Sequence, residues 1–89
     1  PAMTLSFPNR SRSFDATRRG VRFWGHDRSL EILCFVDESA LRRLKPDASD
    51  DERSYLAAFD VNCDRIHHVA SALYSRRHAD FLSLAASDF

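Results

Sequence analysis

Apolar positions recur along this chain with two different periods, and each period predicts an element. Between Ser49 and Arg77, the residues Leu56, Phe59, Cys63, Ile66, Ala70 and Leu73 fall at spacings of 3, 4, 3, 4 and 3. That spacing places them on one stripe of a helix. Ser49 and Glu52 form a capping-box pattern at its start: the hydroxyl accepts from an early backbone N–H and the carboxylate reaches back. Asp50, Asp51 and Glu52 lie at the positive end of the helix dipole, and Arg76, Arg77 and His78 at the negative end. The pattern predicts one long helix over 49–77.

Earlier in the chain the period is two. Val21 and Phe23 face one way and Arg22 and Trp24 the other, which predicts a strand from Val21 to Trp24 opened by Gly20. Gly25 to Ser29 makes a turn of hairpin length. The second strand, Leu30 to Val36, is apolar on both sides. Leu30, Ile32, Cys34 and Val36 share one face, and Leu33 and Phe35 share the other with Glu31. A strand of this kind is covered on both faces. Asp37 caps a short helix over 38–44, whose Ala40, Leu41 and Leu44 turn inward and which Pro46 ends. A last strand covers Phe81 to Leu84, with Leu82 and Leu84 on one face. Residues 1–19 read as an irregular arm with a short strand over 4–7, pinned by Phe7 and Phe14. Met3 reads as a natural start, with Pro1 and Ala2 as a remnant.

The resulting order is β-β-α-α-β in one α+β domain spanning 1–89, a small antiparallel sheet with one long helix packed on one face. The expected lateral order puts the first strand in the centre, between the second strand and the last. One mismatch follows. The long helix measures about 42 Å at 1.5 Å per residue, whereas a six-residue strand spans only about 20 Å. Either the helix breaks near Asp60–Asn62 or it overhangs the sheet. An overhang needs a cover, as does the face carrying Trp24, Leu33 and Phe35. These three residues and the overhang are therefore the expected interface of a homodimer.

Charge adds one refinement. Thirteen basic and thirteen acidic residues cancel, so no global field steers the chain to nucleic acid or membrane. The distribution is uneven, however. Residues 1–28 carry six arginines against two aspartates, a net of +4, and residues 29–60 carry eight acids against four bases, a net of −4. Two such halves attract each other, within one fold or between subunits. Arg10, Arg12, Arg18 and Arg19 interleave with aromatic residues, a pattern suited to unpaired nucleic acid strands. The neutral total and the lack of a nucleic-acid motif disfavour that reading. No signal peptide, transmembrane run or lipidation motif is visible. The expectation is a cytoplasmic protein without membrane contact, whose Cys34 and Cys63 are reduced, small apolar residues.

Catalytic chemistry finds little footing. Asp60, Asp64 and His68 line up at i, i+4 and i+8, but no second ligand-rich segment completes a metal shell. Asp47, Asp50, Asp51 and Glu52 lack the glycine and spacing of a calcium loop. His67 and His68 point about 100° apart, and no nucleophile elbow or phosphate loop occurs. The reading is non-enzymatic, without a cofactor.

Several stretches resemble a known family, the small bacterial proteins grouped as domain of unknown function 1488. They are Leu5-Ser6-Phe7-Pro8-Asn9, Phe14-Asp15, Val21-Arg22-Phe23, Ala58-Phe59-Asp60 with Asn62 and Asp64-Arg65-Ile66, and Leu84 followed by Asp88-Phe89. The resemblance implies a stand-alone α+β protein without an assigned catalytic set. It makes Phe7, Phe23, Phe59, Ile66 and Leu84 core positions. It also makes Asp60, Asn62 and Asp88 the first choices for a specific polar role, with Asn62 breaking or capping the helix and Asp88 pairing with an arginine of the arm. The sequence thus points to a protein-association module that pairs with itself and an unidentified protein partner. A nucleic-acid module using the arm is the alternative.

Overall fold

A computed structural model describes residues 5–89; the expected start at Met3, and Thr4 of the expected short strand, lie outside them. The chain forms β1 (Arg12–Asp15), β2 (Gly20–Asp27), β3 (Leu30–Asp37), α1 (Glu38–Leu44), α2 (Glu52–Val61), α3 (Cys63–Arg77) and β4 (Phe81–Leu84), then a 3₁₀ turn at Ala86–Asp88. The class is α+β, with three helices on a four-stranded sheet in the order β1-β2-β3-β4. β1, β2 and β3 are antiparallel neighbours, and β4 joins β3 in parallel.

Three corrections to the sequence reading have physical reasons. The arm is not irregular throughout, because Arg12–Asp15 pairs with Gly20–Phe23 as an edge strand. Its one apolar residue, Phe14, is too little for a periodicity signal, and the pairing supplies the structure. The last strand lies beside β3 rather than β2, with Leu82 opposite Cys34 and Leu84 opposite Val36. The hairpin turn is also shorter than Gly25–Ser29. Strand pairing continues to Asp27 and Leu30, leaving only Arg28-Ser29, with Arg28 in the left-handed region at φ 59°.

Of the two outcomes that the length mismatch left open, a break and an overhang, the long helix takes the break. Asn62 leaves helical geometry at φ −107°, ψ 19°, and its side-chain Nδ2 donates to the Ala58 carbonyl at 3.0 Å. The two pieces, ten and fifteen residues long, measure about 15 and 22 Å, which matches the strands. The stripe is therefore buried within the fold at Phe59, Ile66, Ala70 and Leu73, half-buried at Leu56 and Cys63, and leaves no overhang for a partner. The start also shifts: Asp51, not Ser49, caps α2 by accepting from Ser54 N at 2.7 Å. Asp37 caps α1 from Ala40 N at 2.8 Å, and His78 closes α3 at φ 50°.

The core lies between the helices and one sheet face. Val21, Phe23, Ile32, Cys34, Val36, Leu82 and Leu84 meet Leu41, Tyr55, Phe59, Ile66 and Leu73 there. Leu5 is buried with them and Phe7 and Phe14 pack at the margin, so the arm is pinned as the sequence suggests. Ser6 extends the edge by exchanging backbone hydrogen bonds with His26 at 2.9 and 2.8 Å.

The uneven charge is settled inside the fold. Arg19 reaches Glu38 at 2.9 Å and also pairs with Asp50. The buried Tyr55 hydroxyl donates to Asp50 at 2.8 Å. That hydrogen bond, with Arg19 and Arg42 nearby, holds the Asp50 carboxyl below its usual range. Arg12 meets Asp60 with two hydrogen bonds, 2.8 and 2.7 Å.

Candidate functional site

Alternation along β2 and β3 sends Gly20, Arg22, Trp24 and His26 to the face opposite the core, together with Glu31, Leu33, Phe35 and Asp37. Cross-strand pairing adds Ser13 from β1 and Phe81 and Ser83 from β4. Among the described residues no helix covers this face. Trp24, Leu33 and Phe81 form one row across three strands, since Trp24 opposes Leu33 and Leu33 opposes Phe81. Phe81 is 40% exposed and Trp24 and Leu33 are half-buried, all outside the core cluster.

Phe35 behaves differently. It is only 7% exposed and yet is no part of the core between sheet and helices. The explanation is Gly20. A Cβ built there would lie 2.3 Å from Phe35 Cζ and 2.6 Å from Cε1, so the tip of the ring occupies the space that a side chain at 20 would take. The face is therefore a low platform with an apolar centre and a charged rim. Arg22 and His26 are on one strand, and Glu31 and Asp37 are on the next. His26 Nε2 stands 3.7 Å from Glu31 Oε2, an ion-pair distance too long for a hydrogen bond.

The structure brings Trp24, Leu33 and Phe35 together as the sequence reading required, and it adds Phe81. The signal for Phe81 was the alternation with Leu82 and Leu84. It went unused because the last strand was assigned a different neighbour.

Asp60, Asn62 and Asp88 do not form one site. Asp60 holds Arg12, which lowers the pKa of its carboxyl, and Asn62 holds the helix bend. Asp88 accepts from Ala85 N at 2.8 Å in the terminal turn, so the carboxylate that pairs with the arm is Asp60, not Asp88. Among the described residues no group of three or more His, Cys, Asp or Glu side chains is placed to hold a metal ion.

The arginines of the arm part ways as well. Arg12 and Arg19 spend their charge on Asp60, Glu38 and Asp50, and Arg10 Nη1 lies 3.9 Å from Cys63 Sγ. Arg18 is exposed.

Two further features were not foreseen. His67 stacks on Phe7 with ring centres 3.8 Å apart and stands against Phe23 and Phe59, while Cys63 Sγ lies 3.4 Å from its Nε2. Burial, and then Arg10, hold the His67 pKa below its usual value against the opposing pull of Asp64, and burial pushes the Cys63 thiol up. This is a packing arrangement, with a thiol that burial disfavours as a nucleophile. The second feature is an open groove of about 400 Å³ between α3 and the terminal turn, where His68 and Arg76 face Ser87 and Asp88.

The comparisons with known proteins bear on the whole chain. The family described as Protein of unknown function (DUF1488) matches residues 5–83. No curated protein and no solved structure matches. Among the described residues no helix is long and apolar enough to cross a membrane. The chain belongs to the DUF1488 family.

Proposed function

We propose that this member of the family is a protein-association domain that works by docking, without catalysis, through the uncovered sheet face. The observation that carries the reading is the Trp24–Leu33–Phe81 row beside Phe35, an apolar centre on the sheet face that no helix covers among the described residues. A contiguous exposed apolar patch rimmed by polar side chains marks an interaction surface. An aromatic centre suits one, because Trp and other large rings dominate the energy of small interfaces. The arm supports the same view. Two of its arginines are engaged with acids of the fold, which leaves less charge for nucleic acid.

A photo-reactive residue in place of Phe81, expressed in the native host, tests the reading. The same probe in place of Val61, which is 75% exposed on the helical side, is the control. Position 81 is expected to give discrete cross-linked species that position 61 does not give. A probe at 81 that yields none overturns the docking reading.

A further inference from the structure

We infer that the occupant of this face is a second copy of the same chain, placed by a two-fold axis that runs along the strands between β2 and β3. This inference rests on the docking reading above and names its partner.

The argument is the distribution of charge on the face. β2 presents Arg22 and His26 on either side of Trp24, and β3 presents Glu31 and Asp37 on either side of Leu33 and Phe35. Arg22 and His26 thus share β2 and Glu31 and Asp37 share β3, with Asp15 of β1 on the far side of Arg22 and Asp37 also capping α1. A two-fold interface sets the same patch against itself, so each residue meets the counterpart of its own partner. An axis between these two strands lays β2 of one copy over β3 of the other. His26 then stands over the second copy's Glu31, Trp24 over its Leu33, and Arg22 between its Phe35 and Asp37. The burial of Phe35 beside Gly20 is compatible with sheet-on-sheet packing at about 10 Å. An unrelated partner has no reason to match this strand-by-strand segregation, whereas a second copy matches it by symmetry.

Size sets the strength. Four strands about 4.8 Å apart and about 20 Å long give roughly 400 Å² in projection per copy. That lies below the roughly 800 Å² per partner of a standard interface, so the dimer is expected to be weak and reversible.

Sedimentation equilibrium of the full chain from 5 to 500 μM tests this. The wild-type protein is expected to pass reversibly from monomer to dimer. His26→Glu sets carboxylate against carboxylate and is expected to weaken the dimer at least tenfold. His26→Glu with Glu31→Arg exchanges the charges and is expected to recover it to within about threefold. Circular dichroism checks that each variant folds, and Leu33→Arg replaces His26→Glu should that variant unfold. A wild-type monomer at 500 μM overturns the inference. So does a dimer indifferent to the face variants, or a folded charge exchange that recovers nothing. A monomer in vitro beside discrete adducts from position 81 in the host defeats the second copy but leaves the docking reading standing. Absence of both defeats both.

Discussion

At the scale of single residues, Gly20 holds the key to the platform. A Cβ there meets Phe35 Cζ at 2.3 Å and the Val36 carbonyl oxygen at 2.5 Å, and only the first of these can move. Gly20→Ala is therefore expected to cost about 2–3 kcal/mol by overpacking, read from urea midpoints. Truncating Phe35 to Ala in the same chain is expected to return only part of that, because the backbone contact stays. His67 offers a second test. Its imidazole is held neutral by the niche of Phe7, Phe23 and Phe59 and by Arg10. The folded state therefore binds its proton less readily than the unfolded chain does. Stability from this group is complete above the unfolded value of about 6.5 and is lost as pH falls from there through the depressed folded value. Urea midpoints are expected to drop between pH 7.5 and 5.5, and His67→Phe, which keeps a ring against Phe7, to remove that part of the drop. A decline unchanged in this variant assigns the protonation elsewhere. The sequence shows that His67 borders the apolar stripe beside Ile66, which fits its half-buried place, but not the niche. The niche comes from Phe7 in the arm and Phe23 in β2, far from it in the chain.

At the scale of elements, the helix shows what local signals can decide. Its stripe and its end at Arg77 follow from spacing and charge, and the Asn62 break is one of the two outcomes that length against strand reach left open. The first turn does not follow, because Ser49-Ser/Asp/Glu patterns overlap. Ser49 with Glu52 satisfies a capping box on paper, while Asp51 makes the actual hydrogen bond to Ser54 N. Asp50, one residue earlier, is taken by Tyr55 and Arg19, and that tertiary demand sets which residue is left to cap. The two assignments separate cleanly by mutation. Asp51→Ala is expected to cost about 1 kcal/mol, a fall of roughly 4–8 °C in Tm for a domain of this size. Ser49→Ala is expected to leave Tm within about 2 °C, as an exposed residue outside the helix should. Equal losses from both would restore the longer helix. The strand β1 illustrates the opposite limit. Arg12-Ser13-Phe14-Asp15 is ordered by its pairing with β2 and by the Arg12–Asp60 bond, so no reading of its own residues could find it.

At the scale of the whole molecule, the α+β class and the β-β-α-α-β succession were legible, and the lateral position of the last strand was not. Leu82 and Leu84 announce a buried face but not a neighbour, since either edge of a hairpin offers one. The answer matters for function, because a strand beside β3 brings Phe81 into line with Leu33 and Trp24. The fold that results is two layers deep, with a full core on one side of the sheet and an uncovered aromatic platform on the other. A chain of this size buries a modest core, so covering the platform should add measurably to its stability. For a dimer that forms over 5 to 500 μM, raising the protein across that range stabilises the folded chain by about 1 kcal/mol through mass action. The expected reading is a Tm that climbs by roughly 4–8 °C over that range. Leu33→Arg, which places a charge in the centre of the row, is expected to flatten the dependence while leaving the dilute Tm nearly unchanged, since Leu33 takes no part in the core cluster. A wild-type Tm independent of concentration would mean that the platform stays bare in the isolated protein. A concentration dependence that persists in Leu33→Arg would move the contact to another surface.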